Sequence, residues 1–186
     1  MKKTINWGVL GAAAIATGGA LYDLGSYAIS GCNLVFKRHP ARMVAALEHD
    51  PTFGIDRLSS ALLDYGDSHA TFTVAAQSGP SGWRTHQQLS ELGAAGWLRL
   101  DFPYAHARPT ACNIELGDAG SVGSFPTATF SFEPVNQYTL QVERFSRLPL
   151  GHDVPSWPIE DALGALRTIE ALFTSGRSGG WQAVPV

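Results

Sequence analysis

Asp23 and Tyr27 place a carboxyl and a phenol four residues apart, in a stretch whose apolar residues Leu21, Leu24, Ala28, Ile29, Cys32, Val35 and Phe36 recur at helical spacing. Both side chains therefore share one face within the first two turns of a helix. A carboxyl and a phenol are residue types that can serve as general acid or base. A tyrosine titrates near 10 unless perturbed, so it needs a cation beside it to act at neutral pH, and an adjacent carboxylate works against it. The only lysines are Lys2, Lys3 and Lys37. Read structurally, the same two residues are a first-turn acid facing the helix dipole and a half-buried packing ring.

A second stretch with chemical potential lies at the start. Ile5 to Ala16 contains Trp7-Gly8-Val9-Leu10-Gly11-Ala12-Ala13, a short buried-strand run entering a bend of small residues. Gly8, Gly11, Ala12 and Ala13 would let a backbone approach a pyrophosphate, as in the first turn of a dinucleotide-binding unit. Such a turn needs a strand–helix–strand unit of roughly 30 residues and an acid about 20 residues on. Ser30-Gly31-Cys32 stands there instead. The other reading of Met1-Lys2-Lys3 and the apolar residues after it is an export signal with an Ala-rich exit.

The remaining reactive residue types point nowhere in particular. Cys32 and Cys112 lie far apart with no second cysteine or histidine at ligand spacing, so neither a metal site nor a disulfide framework is indicated. They read as small core residues of a reduced, cytoplasmic protein. His39, His49, His69, His86, His106 and His152 have no ligand spacing, and the five tryptophans are too scattered for a stacking surface.

The elements that must position Asp23 and Tyr27 can be read from periodicity. After the first helix, residues 41–48, 57–65, 69–77, 87–92, 97–102, 112–116 and 127–132 are strand-like runs separated by turn signals such as Asp50-Pro51, Gly66-Asp67 and Gly117-Asp118. Turns this short join antiparallel neighbours. Two helices follow. One has Pro134 in its first turn and a stripe of Val135, Tyr138, Val142, Phe145 and Leu148. The other starts at Pro158, buries Ile159, Leu163, Leu166, Ile169, Leu172 and Phe173, and ends at Gly176. Helices before and after a run of strands predict an α+β fold, a mostly antiparallel open-faced sheet with helices packed on one face.

Composition constrains partners. The 186 residues are 45% hydrophobic and only 16% charged, with a net charge of −3. That suits one well-buried domain with an appendage and carries no basic footprint for nucleic acid. No run of about 20 apolar residues is present to span a membrane. Between Ser68 and Ser90 the only formally charged residue is Arg84, and Thr71, Thr73, Ala75 and Gln77 alternate with Phe72, Val74 and Ala76. A strand with so neutral an outward side suits association with a second sheet.

Gly18-Gly19-Ala20-Leu21-Tyr22-Asp23-Leu24-Gly25-Ser26-Tyr27 resembles the motif that opens the second domain of the Gfo/Idh/MocA oxidoreductases. The resemblance continues through Ile55-Asp56-Arg57, Leu92-Gly93-Ala94-Ala95-Gly96-Trp97-Leu98, Asn136-Gln137-Tyr138 with Gln141 and Glu143, and Pro158 to Leu163. It implies that residues 1–16 are a remnant first strand and phosphate turn, and that residues 17–186 are a substrate and oligomerisation domain, with the interior of the nucleotide-binding domain missing between them. It implies NAD or NADP as the family's cofactor, with none bound by this chain alone. It makes Tyr27 the proton-transfer residue, Asp23 an acid of the same pocket, and Asn136 and Tyr138 residues bordering it. It also implies a homodimer through the open sheet face, or pairing with an intact paralogue. The lysine of the family's Glu-Lys-Pro motif has no counterpart here. Two functions follow: a sugar or cyclic-alcohol oxidoreductase by descent, inactive alone, or a non-catalytic binding and oligomerisation module.

Overall fold

The computed structural model describes residues 18–76, 87–101, 103–104, 112–120, 125–151 and 158–184. They fall into two compact units, one formed by residues 18–76 and 158–184 and the other by residues 87–151.

The first unit begins with a π turn, Leu21–Gly25, that runs into α1, Ser26–Phe36. Lys37 ends the helix in the left-handed region at φ 54. Strands β1 (Arg42–His49), β2 (Asp56–Asp64) and β3 (His69–Ala75) follow, and α3 (Ile159–Ser178) and the two-residue β8 (Gln182–Ala183) return from the chain's end. The sheet order is β3-β2-β1-β8, antiparallel throughout. Met43, Ala61 and Leu63 on its inner face pack with Leu21, Ile29, Ile169, Ala171 and Leu172 as the core. The helices thus cover one face, as alternation in the strands predicts.

The opposite face is formed by the rows Val44–Leu62–Thr71 and Ala46–Ser60–Thr73. Burial alternates strictly along β3, with Thr71, Thr73 and Ala75 exposed and Phe72 and Val74 half-buried. Ser60 and Thr73 share a hydroxyl hydrogen bond of 2.9 Å across that face.

The second unit is a four-stranded antiparallel sheet in the order β4-β5-β6-β7, made of β4 (Gln88–Gly93), β5 (Gly96–Asp101), β6 (Cys112–Asp118) and β7 (Ala128–Phe132). One face carries the apolar row Leu89–Leu100–Ile114–Phe130, and the other the polar row Ser90–Arg99–Glu115–Thr129. Gly96, at φ 153, and Gly117 permit close strand approach. A Cβ at Gly96 would strike the Gly117 carbonyl, and one at Gly117 would strike the Trp97 ring. Helix α2 (Gln137–Arg147) and a 3-10 turn, Leu148–Leu150, complete this unit.

The α+β class and all seven strands stand within two residues of the sequence expectation. The strands divide between two sheets rather than forming one, because among the described residues β3 and β4 make no pairing with each other. Pro134 is not in the first turn of α2, since Asn136 is the N-cap and the helix starts at Gln137. The expected stripe on α2 is exposed rather than buried, at Val135, Tyr138, Val142, Phe145 and Leu148. On α3, Ile159, Leu163 and Leu166 are also exposed, while Gly164, Thr168, Ile169, Ala171, Leu172 and Ser175 are buried. Nor does Gly176 end α3, which continues to Ser178 and is capped by Gly179 at φ 69. Gly176 serves packing instead, because a Cβ there would come within 2.5 Å of Leu47 Cδ1 on β1.

Candidate functional site

The segment carrying Asp23 and Tyr27 starts irregularly. Gly19 adopts φ 81, a conformation that favours glycine, and a Cβ on it would overlap the Asp56 carboxyl. No side chain caps the segment at Ala20. The Leu21 N–H donates instead to Asp56 Oδ2 at 2.8 Å, and the Ser59 hydroxyl donates to the same oxygen at 2.6 Å. Asp56 opens β2 and is only 2% exposed. The π turn is closed by the Ser26 N–H donating to the Leu21 carbonyl, five residues back. Turns of this type recur at functional sites. A Cβ at Gly25 would lie 3.0 Å from Leu21 Cδ2, so a larger residue there would push the leucine aside.

Asp23 lies in the middle of the π turn, half-buried, and burial holds its carboxyl above the usual range. Its carbonyl accepts the Ser26 hydroxyl at 3.2 Å. Tyr27 follows in the first turn of α1 and is 45% exposed. The structure therefore places the two expected proton-handling residues on one short helical segment.

The neighbouring Tyr22 was not anticipated. Its hydroxyl donates to Glu170 of α3, and its ring stands 5.3 Å from that of Phe173. The hydrogen bond to Glu170, followed by burial and the carboxylate's charge, pushes the phenol up to about 12. Tyr22 is thereby committed to holding α3, and it keeps its proton throughout the neutral range. Its partner is 148 residues away, so no local pattern announces the pair.

Asn136 and Tyr138 belong to the other unit. The Asn136 side-chain oxygen accepts the N–H groups of Tyr138 at 3.0 Å and Thr139 at 3.2 Å, which makes it the N-cap of α2. The Tyr138 ring is exposed. Gly8, Gly11, Ala12 and Ala13, with the choice between a phosphate turn and an export signal, lie outside the described residues.

The described residues do not fit a nicotinamide cofactor. A dinucleotide site needs parallel strands joined through a helix, with the phosphate at that helix's start. Every strand pairing among the described residues is antiparallel. Among them also, no three His, Cys, Asp or Glu side chains are grouped to hold a metal ion. Cys32 and Cys112 form no disulfide, and burial raises the Cys32 thiol to about 11. No helix among the described residues is long and apolar enough to cross a membrane.

With this geometry in hand, the relatives are informative. The chain is 34% identical over 169 residues to an uncharacterized oxidoreductase of Rhizobium meliloti, a match covering 90% of this chain and 49% of the relative. It is 29% identical over 164 residues to a D-xylose 1-dehydrogenase (NADP(+)) of Haloferax volcanii, covering 87% and 47%. The aldose-aldose oxidoreductase of Caulobacter crescentus, solved with glycerol, shares the fold with a TM-score of 0.69 at 22% identity, over 89% of this chain and 48% of that one. A 3-ketoreductase from Actinomadura kijaniata, solved with NADP and TDP-benzene, also has a TM-score of 0.69, at 19% identity over 85% and 47%. No protein-family model matches the sequence. The chain spans about half the length of the curated relatives it matches, and the matching half is their C-terminal part. By its opening motif, its α+β fold and these relatives, the chain matches the C-terminal part of Gfo/Idh/MocA-type oxidoreductases.

Proposed function

We propose that this chain is the substrate-side half of an oxidoreductase acting on CH–OH groups of sugars or related cyclic alcohols, and that residues 18–184 perform no redox chemistry by themselves. The observation that carries this reading is the π turn holding Asp23 with Tyr27 just after it, on the segment that matches the family's opening motif. In this reading Tyr27 takes the proton from, or returns it to, the substrate hydroxyl, and Asp23 lines the pocket beside it. The relatives' names support a sugar-like substrate, one being a xylose dehydrogenase and another an aldose-aldose oxidoreductase.

The antiparallel pairing of every described strand supports the absence of useful nicotinamide affinity. Titrating NADPH into the purified chain while following nicotinamide fluorescence tests this. The signal should stay linear with added NADPH, and saturable binding in the low-micromolar range would overturn the reading.

A second reading is favoured by the outer face of the first sheet. Val44, Leu58 and Leu62 lie there half-buried between Ala46, Thr71, Thr73 and Ala75, with the Ser60–Thr73 hydroxyl pair at the centre. In this reading the chain is a pairing module that dimerises through that face, with a second copy or with an intact paralogue. Light scattering at tens of micromolar should give a dimer mass that Thr73→Lys lowers, and a monomer mass for the native chain would exclude it.

A further inference from the structure

We propose that Asp56 is a positioning residue for Asp23 and Tyr27: its buried carboxylate grips the Leu21 N–H and so fixes the π turn on which those two side chains are oriented. The inference rests on the proposed role of the Asp23–Tyr27 pair and goes beyond it, to a residue 35 positions away on another element.

The first N–H groups of a helix have no partner within it and are normally met by a Ser, Thr, Asp or Asn just before the first turn. Here that device is unused at Ala20. The start of β2 supplies the acceptor instead, through one carboxylate oxygen that takes both the Leu21 N–H and the Ser59 hydroxyl. The negative charge also lies where the helix dipole favours it. Two further observations show that the approach is specific. Asp56 is almost entirely removed from solvent, and the chain opposite it is a glycine at positive φ because no side chain would fit against the carboxyl.

The consequence for the site is geometric. A π turn contains one residue more than the α-turn it replaces, and it persists only where its surroundings compel it. If the Leu21 N–H were released, the turn could relax to an α-helix. Each residue of an α-helix advances about 100° around the axis, so losing the extra residue would rotate the start of the segment by about that much relative to Tyr27. Asp23 sits in the middle of that turn. Asp23 and Tyr27 would still share a face, as residues four apart in an α-helix do, but the pair would be turned relative to Leu21, which is packed in the core, and the burial of Asp23 would change with it. The Asp56 carboxylate bonds the Leu21 N–H and the Ser59 hydroxyl, and its effect on the pair passes through the backbone.

The test compares Asp56→Asn with Asp56→Ala in the intact chain. Both remove the charge, but only asparagine keeps an acceptor for Leu21. The readouts are amide hydrogen exchange at Leu21 and the carboxyl titration of Asp23 by NMR, and neither requires cofactor or turnover. Asp56→Ala should speed Leu21 exchange about tenfold or more and move the Asp23 midpoint toward the ordinary carboxylate value near 3.9, with Met43 and Leu63 still protected. Asp56→Asn should leave Leu21 within about threefold of native and restore most of the Asp23 displacement. A charge effect alone would move Asp23 equally in both variants and would overturn the proposal, as would native behaviour in Asp56→Ala. If Asp56→Ala does not fold, Gly19→Ala displaces the same carboxyl, and unchanged Leu21 and Asp23 signals in that variant would likewise overturn it. Because NADPH binding is not involved, failure here leaves the oxidoreductase reading intact, and failure of that reading leaves these signals unchanged.

Discussion

Removing one hydroxyl, in Ser175→Ala, should cost more than most exposed changes in this chain. Along β1 the β2 edge is paired over the whole strand, but the opposite edge meets β8 only at Arg42 and Met43. The next donor on that open edge is the Ala45 N–H, and Ser175 of α3 accepts it at 2.9 Å. The same hydroxyl donates to the Gly180 carbonyl at 2.7 Å, and Ser175 itself is fully buried. Alanine fits the space but strands both groups. A typical hydrogen bond contributes about 0.5–1.5 kcal/mol net, and a buried group left without its partner costs about 1–3 kcal/mol, so two partly buried groups give a loss of about 2–3 kcal/mol. For a chain of this size that is a fall in Tm of about 5–10 °C. Thr174→Ala is the control. Its hydroxyl is exposed, donates to the Glu170 carbonyl and accepts from the exposed Arg177 guanidinium, both in the same helix, so it should change stability by less than about 0.5 kcal/mol. Urea unfolding followed by circular dichroism should show the midpoint falling for Ser175→Ala with the slope unchanged. If the two variants unfold within about 0.5 kcal/mol of each other, the argument from stranded groups is refuted.

Leu63→Ala should cost about 2–5 kcal/mol in the same assay, because Leu63 is fully buried between the sheet and its helices. Asn136→Ala should cost α2 about 1 kcal/mol of cap stability, seen as lost helical circular dichroism. Tyr22 binds its proton more tightly folded, at about 12, than unfolded near 10, so its contribution is complete below pH 10 and disappears as pH rises from 10 to 12. Glu170→Gln should flatten that alkaline loss in a pH series of unfolding midpoints. Asp64 and Asp67 behave oppositely. The Arg42 hydrogen bond holds Asp64 below its ordinary value, and the Arg38 hydrogen bond does the same for Asp67, so their contribution is present above about pH 4 and is lost as pH falls through the folded values. Arg42→Met together with Arg38→Met should make acid unfolding less steep.

How far the sequence carried depends on whether the relevant contact was local. The seven strands and three helices could be read because alternation and helical spacing are written into neighbouring residues, as in His69 to Ala75. The Asp23–Tyr27 spacing was legible for the same reason. The π turn was not, since it follows from the Asp56 contact across 35 residues. Gly176 and Gly164 show a second kind of illegibility. A glycine near a helix end reads as a stop, yet Gly176 makes room for Leu47 and Gly164 for the His39 ring. The stripes on α2 and the first half of α3 show a third, because periodicity defines an apolar face without saying what covers it. Strand β8, with two residues, is too short for any period to register.

The ties that complete the first unit join its beginning to its end: Leu63 and Met43 pack on α3, Tyr22 reaches Glu170, and Ala45 reaches Ser175. The other unit is inserted between these two halves. During synthesis the strands of residues 42–75 therefore leave the ribosome with Leu21 and Ile29 available to pack on their apolar face but with the part that α3 covers still open. They stay so until more than 80 further residues have been added and α3 can dock. At about 5–20 residues per second this is an interval on the order of several seconds, long compared with hairpin formation in microseconds. The nascent chain thus presents a half-covered apolar sheet that its finished form does not, and chaperone demand in a cell should depend on elongation rate more than on final stability.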